Sequence, residues 1–155
     1  MSEAGRLRTT TTRKRATAIA PAPAAADLIA IRRVRSSDLE QIIALDAKVN
    51  GVPKRSYWRS LFRRYGLAGQ AGKQFLVADA GGRMAGFVIG EIRDWEFGSE
   101  PCGWVFAIDV QPEFRLAGVG ARLLAALSAN LRRAGARKLR TMLARDNTLV
   151  LSFFR

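Results

Sequence analysis

Histidine is absent from the 155 residues, and cysteine occurs once, as Cys102. Without histidine there is no histidine-based triad, no imidazole general base and none of the common zinc sites. One cysteine forms no intramolecular disulfide, and a four-cysteine metal site cannot be assembled. The chain therefore reads as metal-free and suited to a reducing compartment, the cytoplasm. No uninterrupted apolar run reaches the ~18 residues of a membrane span, so no membrane partner is expected. Acidic residues are outnumbered, 13 against 26 Lys and Arg, for a formal net charge of +13.

What is present is enough for one domain with a real core. Arg6, Arg8, Arg13, Lys14 and Arg15 against Glu3 and Asp27 give residues 1–27 a charge of +3, so +10 belongs to the remainder. A basic domain attracts nucleic acid, acidic proteins or a polyanionic cofactor. A proteome rich in arginine produces the same charge with no partner implied. No RNA or DNA motif is recognisable, so no specific nucleic acid is expected.

Residues 1–27, with TTTT, RKR and IAPAPAAA, show neither helical nor strand period and read as a disordered basic extension. Their composition is similar to a transit peptide, but Pro21 and Pro23 break any apolar signal core. The folded domain spans 28–155. LIAIRRV reads as a strand from Leu28, and Ser36-Ser37-Asp38 offers the N-cap of a helix reaching about Val49, with Leu39, Ile42, Ile43 and Ala47 on its apolar face. Ser56–Tyr65 is a second helix, with Trp58, Leu61, Phe62 and Tyr65 on one side. Strands at Lys73–Ala80 and Arg83 to about Asp94 meet at Gly81-Gly82, a hairpin signal. A turn over Trp95–Gly103 leads into a strand at Trp104–Val110. A helix through Leu123, Leu124, Leu127 and Leu131 ends at Gly135. Arg137–Leu143 then forms a strand parallel to Trp104–Val110, because a helix crosses between them. Asp146 or Asn147 caps a final helix.

The segment Trp104–Leu124 carries the chemistry. Arg115-Leu116-Ala117-Gly118-Val119-Gly120 follows a strand and opens a helix. Gly118 admits a positive φ, and Gly120 lets a guest approach with no Cβ in the way. Successive N–H groups from Arg115 to Ala121 then form an anion cradle suited to a diphosphate.

V-x-P-x-x-R-x-x-G-x-G before a leucine-rich helix resembles motif A of the GNAT superfamily of N-acetyltransferases, and RDNTLVLSFFR resembles its motif B. The order of elements over 28–155 is similar too. The resemblance implies an α/β (α+β mixed sheet) fold of the acyl-CoA N-acyltransferase type. It implies acetyl-CoA as co-substrate, an amine acceptor (peptide or small molecule) and direct transfer, Cys102 lying in a turn. Ile108 and Val110 would meet the thioester and pantetheine through backbone groups, the Ile108 N–H polarising the thioester carbonyl. Arg115, Leu116, Ala117, Gly118, Val119, Gly120 and Ala121 would hold the diphosphate, and Asn147 the pantetheine arm. A contact of Arg122 with a cofactor phosphate competes with a plain exposed helix arginine. For the general base, Glu91, expected opposite Phe106, ranks ahead of Asp109 on the donor strand. Glu91 pairing Arg93, and Asp109 bonding nearby backbone, are the structural alternatives.

Two departures from the family pattern stand out. Phe154 occupies the place of a motif B tyrosine that protonates the departing thiolate, leaving that step to water, Tyr57 or Tyr65. The family's last two strands, expected after motif B, are lacking. The sequence thus reads as C-terminally truncated, or as one whose missing strands a second chain supplies, and as poorly soluble or a homo-oligomer in solution. A non-catalytic acyl-CoA-binding relative is the alternative reading.

Overall fold

The computed structural model describes residues 28–143 and 152–154. The expectations on residues 1–27, on the Asp146/Asn147 cap and on Asn147 itself lie outside these. The elements run β1 (Ala30–Arg33), α1 (Leu39–Asn50), α2 (Arg55–Leu61), β2 (Lys73–Ala80), β3 (Arg83–Arg93), β4 (Cys102–Val110), α3 (Val119–Arg133) and β5 (Leu139–Thr141). The sheet order follows the sequence, β1 to β4 antiparallel and β5 parallel to β4. Gly81 and Gly82 both take positive φ, at 68° and 91°, as a two-residue hairpin with the right twist requires.

Two apolar clusters sandwich the sheet. On one face Phe75, Val77, Phe87 and Ile89 pack under α1 and α2 through Ile42, Ile43, Leu45, Trp58, Leu61 and Tyr65. On the other, Leu76, Ala78, Val88 and Val105 pack under α3 through Val119, Leu123, Leu127 and Leu131. Alternation along the strands thus feeds two cores. Leu45 belongs to α1's buried face and is fully enclosed, whereas the sequence pattern points to Ala47, half-buried here.

Several local expectations change. Asp38 does not cap α1 through its side chain. Its carboxylate accepts two bonds from Arg32, at 2.8 and 2.9 Å, and the Arg35 N–H at 2.7 Å. Arg32 also holds Asp79 at 2.8 Å, so one guanidinium joins the entry of α1 to β2. The second helix widens into a π turn over Phe62–Gly66, whose carbonyl end is met by Arg33, bonded to the Tyr65 and Leu67 oxygens at 3.2 and 3.0 Å. β5 is three residues long rather than seven, pairing only with Gly103, Trp104 and Val105.

Asp46 fixes the α1–α2 corner. Buried on α1, it accepts bonds from Trp58 Nε1 at 2.9 Å and Asn50 Nδ2 at 2.6 Å, with Lys54 Nζ at 3.1 Å. Burial pushes its carboxyl up, but the bonds from Trp58, Lys54 and Asn50 outweigh that and hold it below the ordinary value. Its contribution to stability is therefore fully present above the ordinary carboxylate pKa and lost as pH falls through the lowered one. Asp46→Ala leaves the Trp58 N–H and Lys54 unpaired, and is expected to cost about 3 kcal/mol. Chemical denaturation at neutral pH measures it, and the difference from the parent shrinks in acid.

Candidate active site

β4 changes character at its middle. Ile89 faces Ala107, but the next residue, Gly90, faces Val105, so Phe106 has no partner across the ladder. Such a bulge kinks the strand. On its other side β4 is covered by β5 only as far as Val105. From Phe106 to Val110, the edge of β4 carries no strand among the described residues.

The direction of the edge groups follows from one bond. Gln111 donates its N–H to Ala85 O on β3, at 2.8 Å. Backbone groups alternate along a strand, so the N–H groups of Val110 and Ile108 point to the open edge. Val110's oxygen already has a partner, accepting Arg115 Nε at 3.2 Å, and the Asp109 carboxyl sits beside its N–H. Ile108 is then the edge residue whose N–H is presented outward.

The turn after β4 builds a narrower cradle than the sequence suggests. A short 3-10 turn at Pro112–Phe114 takes up the N–H of Arg115 through Pro112 O, at 3.2 Å, and that of Ala117 through Phe114 O, at 3.4 Å. Arg115 and Ala117 therefore do not offer those donors. Leu116 sits at φ 64° with its side chain fully exposed, and Gly118 at φ 75° forms the N-cap of α3. The Arg122 N–H already returns to Gly118 O. The donors a helix leaves open in its first turn are thus those around Gly118, Val119, Gly120 and Ala121. The space above Gly120 differs from expectation too: a Cβ there would lie 3.2–3.3 Å from the Phe153 ring, whereas one at Gly118 would meet nothing within 4 Å. Phe153 stacks edge-on against the half-buried Phe154, centroids 5.0 Å apart. Arg122 is exposed and donates to Ile29 O, tying β1's entry to α3.

The two acid candidates occupy different ends of this strand. Glu91 faces Trp104, not Phe106, because β4 starts at Cys102 opposite Arg93, two residues before Trp104. One Glu91 oxygen accepts the Tyr65 hydroxyl at 3.0 Å, the other Arg93 Nε at 3.1 Å. Tyr65's phenol is pushed up by burial and by the Glu91 charge, and its ring lies 5.0 Å from Phe106. Arg93 also covers the Trp104 ring at 5.2 Å. Trp104 Nε1 is buried with no acceptor among the described residues. Asp109, partnered by Phe87 on the α1/α2 face, behaves differently. Burial raises its carboxyl pKa and the Asp46 charge adds to that, while Arg115 and the Val110 N–H pull the other way and lose.

The bulge and the Asp109 environment were not legible in sequence. The exposed Phe106 inside a strand of buried and half-buried residues is the trace they leave there. Nothing in residue order announces that β5 stops at Thr141.

A family model described as Acetyltransferase (GNAT) family matches residues 38–155. No curated protein matches the sequence. Among solved structures, the chain is similar to aminoglycoside N-acetyltransferase AAC(6')-Iy in complex with CoA, at 24% identity and TM-score 0.70, over 81% of this chain and 83% of that one. It is also similar to aminoglycoside 6'-N-acetyltransferase AAC(6')-IG from Acinetobacter haemolyticus, at 20% identity and TM-score 0.69, over 81% and 87%. A transcriptional regulator from Bacillus halodurans is similar as well, at 17% identity and TM-score 0.69, over 81% and 89%.

Proposed function

The chain belongs to the acetyltransferase (GNAT) family and by that membership is an acetyl-CoA-dependent N-acetyltransferase; we propose that it acts by direct transfer to a primary amine held on the α1/α2 face of β4. The observation that carries this reading is the open edge of β4 beyond Val105, with the Ile108 N–H turned to it. Cys102, the one thiol, is buried where β4 starts, paired with Arg93, which favours direct transfer over a cysteine shuttle. No helix among the described residues is long and apolar enough to cross a membrane. The reading takes the cytoplasm as its compartment.

The residues present fit the co-substrate. The N–H groups of Gly118 to Ala121 and the α3 N-terminus would hold its diphosphate, and the edge of β4 would receive the pantetheine as an added strand. When bound, acetyl-CoA supplies an acyl group on a thiolate leaving group. The Ile108 N–H acts on the charge that develops on the carbonyl oxygen. Asp109 takes the proton of the incoming ammonium: its carboxyl lies at the open edge, and a raised pKa brings a carboxylate base nearer the operating pH. Glu91, with both oxygens engaged, orients Tyr65 instead. Because the Tyr65 proton is committed to Glu91 and Phe154 has none to give, water protonates the thiolate, whose pKa near ~8.5 needs little help.

Calorimetric titration with CoA and thiol release with amines test the reading. Gly118→Ala places a Cβ at φ 75°, a conformation costing about 1–2 kcal/mol for an L-residue. The variant is expected to raise KM for acetyl-CoA several-fold with kcat little changed. Unchanged donor saturation in this variant, or no CoA affinity in the parent, would sink the cradle.

A further inference from the structure

Six cations stand against the acceptor side of the site. At one end, Arg64 lies beside the Tyr65 hydroxyl, Lys73 Nζ lies 5.8 Å from the centre of the Tyr65 ring, and Arg93 holds Glu91. At the other, Lys48 Nζ bonds Gln111 Oε1 at 3.2 Å, Lys54 pairs with Asp46, and Arg115 meets Val110 O beside Asp109. The carboxylates among them are Asp46, Glu91, Asp109 and Glu96, the last sharing Arg93 with Glu91 at 3.7 Å, so the cations outnumber them six to four. Asp46 and Glu91 are already neutralised by Lys54 and Arg93. The rim of the acceptor site is therefore positive.

We propose that the acceptor is the amine of an acidic peptide, one carrying Asp or Glu within a few residues of the acetylated nitrogen. This deepens the acetyltransferase reading and rests on it. Two features favour a peptide over a small anion. The cations lie at both ends of the stretch from Trp104 to Gln111, about 23 Å of strand at 3.3 Å per residue, which one carboxylate does not bridge. The exposed Phe106 lies between the ends, its ring 5.0 Å from that of Tyr65, a surface for the apolar part of a chain. A polycation, such as the aminoglycosides for which the similar acetyltransferases are named, would meet like charge at both ends of the rim. Complementary charge works here through encounter rate and partner choice.

Fluorescence anisotropy with CoA-saturated protein tests this without depending on turnover. The probes are matched hexapeptides with free N-termini, one rich in Asp and Glu and one in Lys and Arg, with an aminoglycoside as competitor. The acidic peptide is expected to bind about tenfold more tightly at low salt, the ratio falling towards one near ~0.5 M salt as screening sets in. Arg64→Glu with Lys73→Glu should abolish the preference while the CoA affinity, measured separately, is kept. Arg132→Glu with Arg137→Glu changes the net charge equally but at exposed positions outside the rim, and should keep the preference. Equal binding of the two peptides, displacement by the aminoglycoside, or loss of the preference in the Arg132/Arg137 pair overturns the acidic-peptide assignment and leaves the donor site standing. Absence of CoA affinity overturns the acetyltransferase reading itself.

Discussion

Asp109→Asn is expected to lower kcat/KM for amine acetylation by about two to four orders of magnitude while leaving the fold as stable as before or more so. Activity and stability part company here for an electrostatic reason. Burial raises the Asp109 carboxyl pKa, the Asp46 charge raises it further, and Arg115 only partly offsets them. The native state thus binds this proton more tightly than the unfolded chain does. Between the ordinary carboxylate pKa and the raised one, the unfolded state carries fewer protons, so this residue's contribution to stability falls as pH rises through that window. Above the ordinary carboxylate pKa the half-buried Asp109 carboxyl is thus a cost to the fold, and asparagine removes it. Denaturation at pH 7 should show the variant at or above the parent, with the two converging in acid. The kinetic signature is separate. In the parent, kcat/KM falls as pH drops through the raised pKa, and in the variant that limb is gone. An unchanged kcat/KM would return the role of base to Glu91 or to water.

What the sequence made legible, and what it did not, divides along one physical line. Features set by local chemistry were readable. Gly81-Gly82 closes the β2–β3 hairpin with two positive φ angles, Gly118 caps α3 from the left-handed region, and Leu123, Leu127 and Leu131 face the sheet. Features set by what lies across space were not. Asp38 looks like a cap from its neighbours, yet Arg32, six residues earlier on β1, takes both its oxygens. Glu91 aligns with Phe106 if β4 begins at Trp104, but the ladder starts two residues earlier, with Cys102 opposite Arg93, and sets it against Trp104. The cradle looks open from Arg115 because spacing does not report that Pro112 O and Phe114 O collect two of its N–H groups. The first two turn on contacts made across the fold, and the third on i to i+3 bonds of a local 3-10 turn that spacing does not announce.

The same spatial constraint makes Gly90→Ala the variant expected to damage the protein most. A Cβ on Gly90 would lie 2.7 Å from Trp104 O and 2.9 Å from Leu127 Cδ2. The leucine tip can turn aside, but the carbonyl belongs to β4 and moves only if the strand moves. Gly86, four residues back, meets Asp109 O at 2.6 Å in the same way. β3 therefore reads G-F-V-I-G because β4 crosses it closely on either side of the bulge. Gly120 shows the contrast: its virtual Cβ comes nearest to the Phe153 ring, at 3.2–3.3 Å, with Val110 Cγ2 at an ordinary 3.7 Å, and a ring can yield a few tenths of an ångström. Overpacking against backbone is expected to cost about 3 kcal/mol, a fall of roughly 6–12 °C in Tm for a chain of this size. The effect on catalysis should exceed the loss of folded protein. Trp104 precedes Val105, the last residue of β4 held by β5, so a displaced Trp104 carbonyl shifts the bulge and, with it, Ile108 and Asp109. Thermal unfolding, paired with rates measured well below the variant's Tm, separates the two effects. A Tm equal to the parent's would mean that β4 has room at the bulge, and the open edge would lose its claim to be a built site.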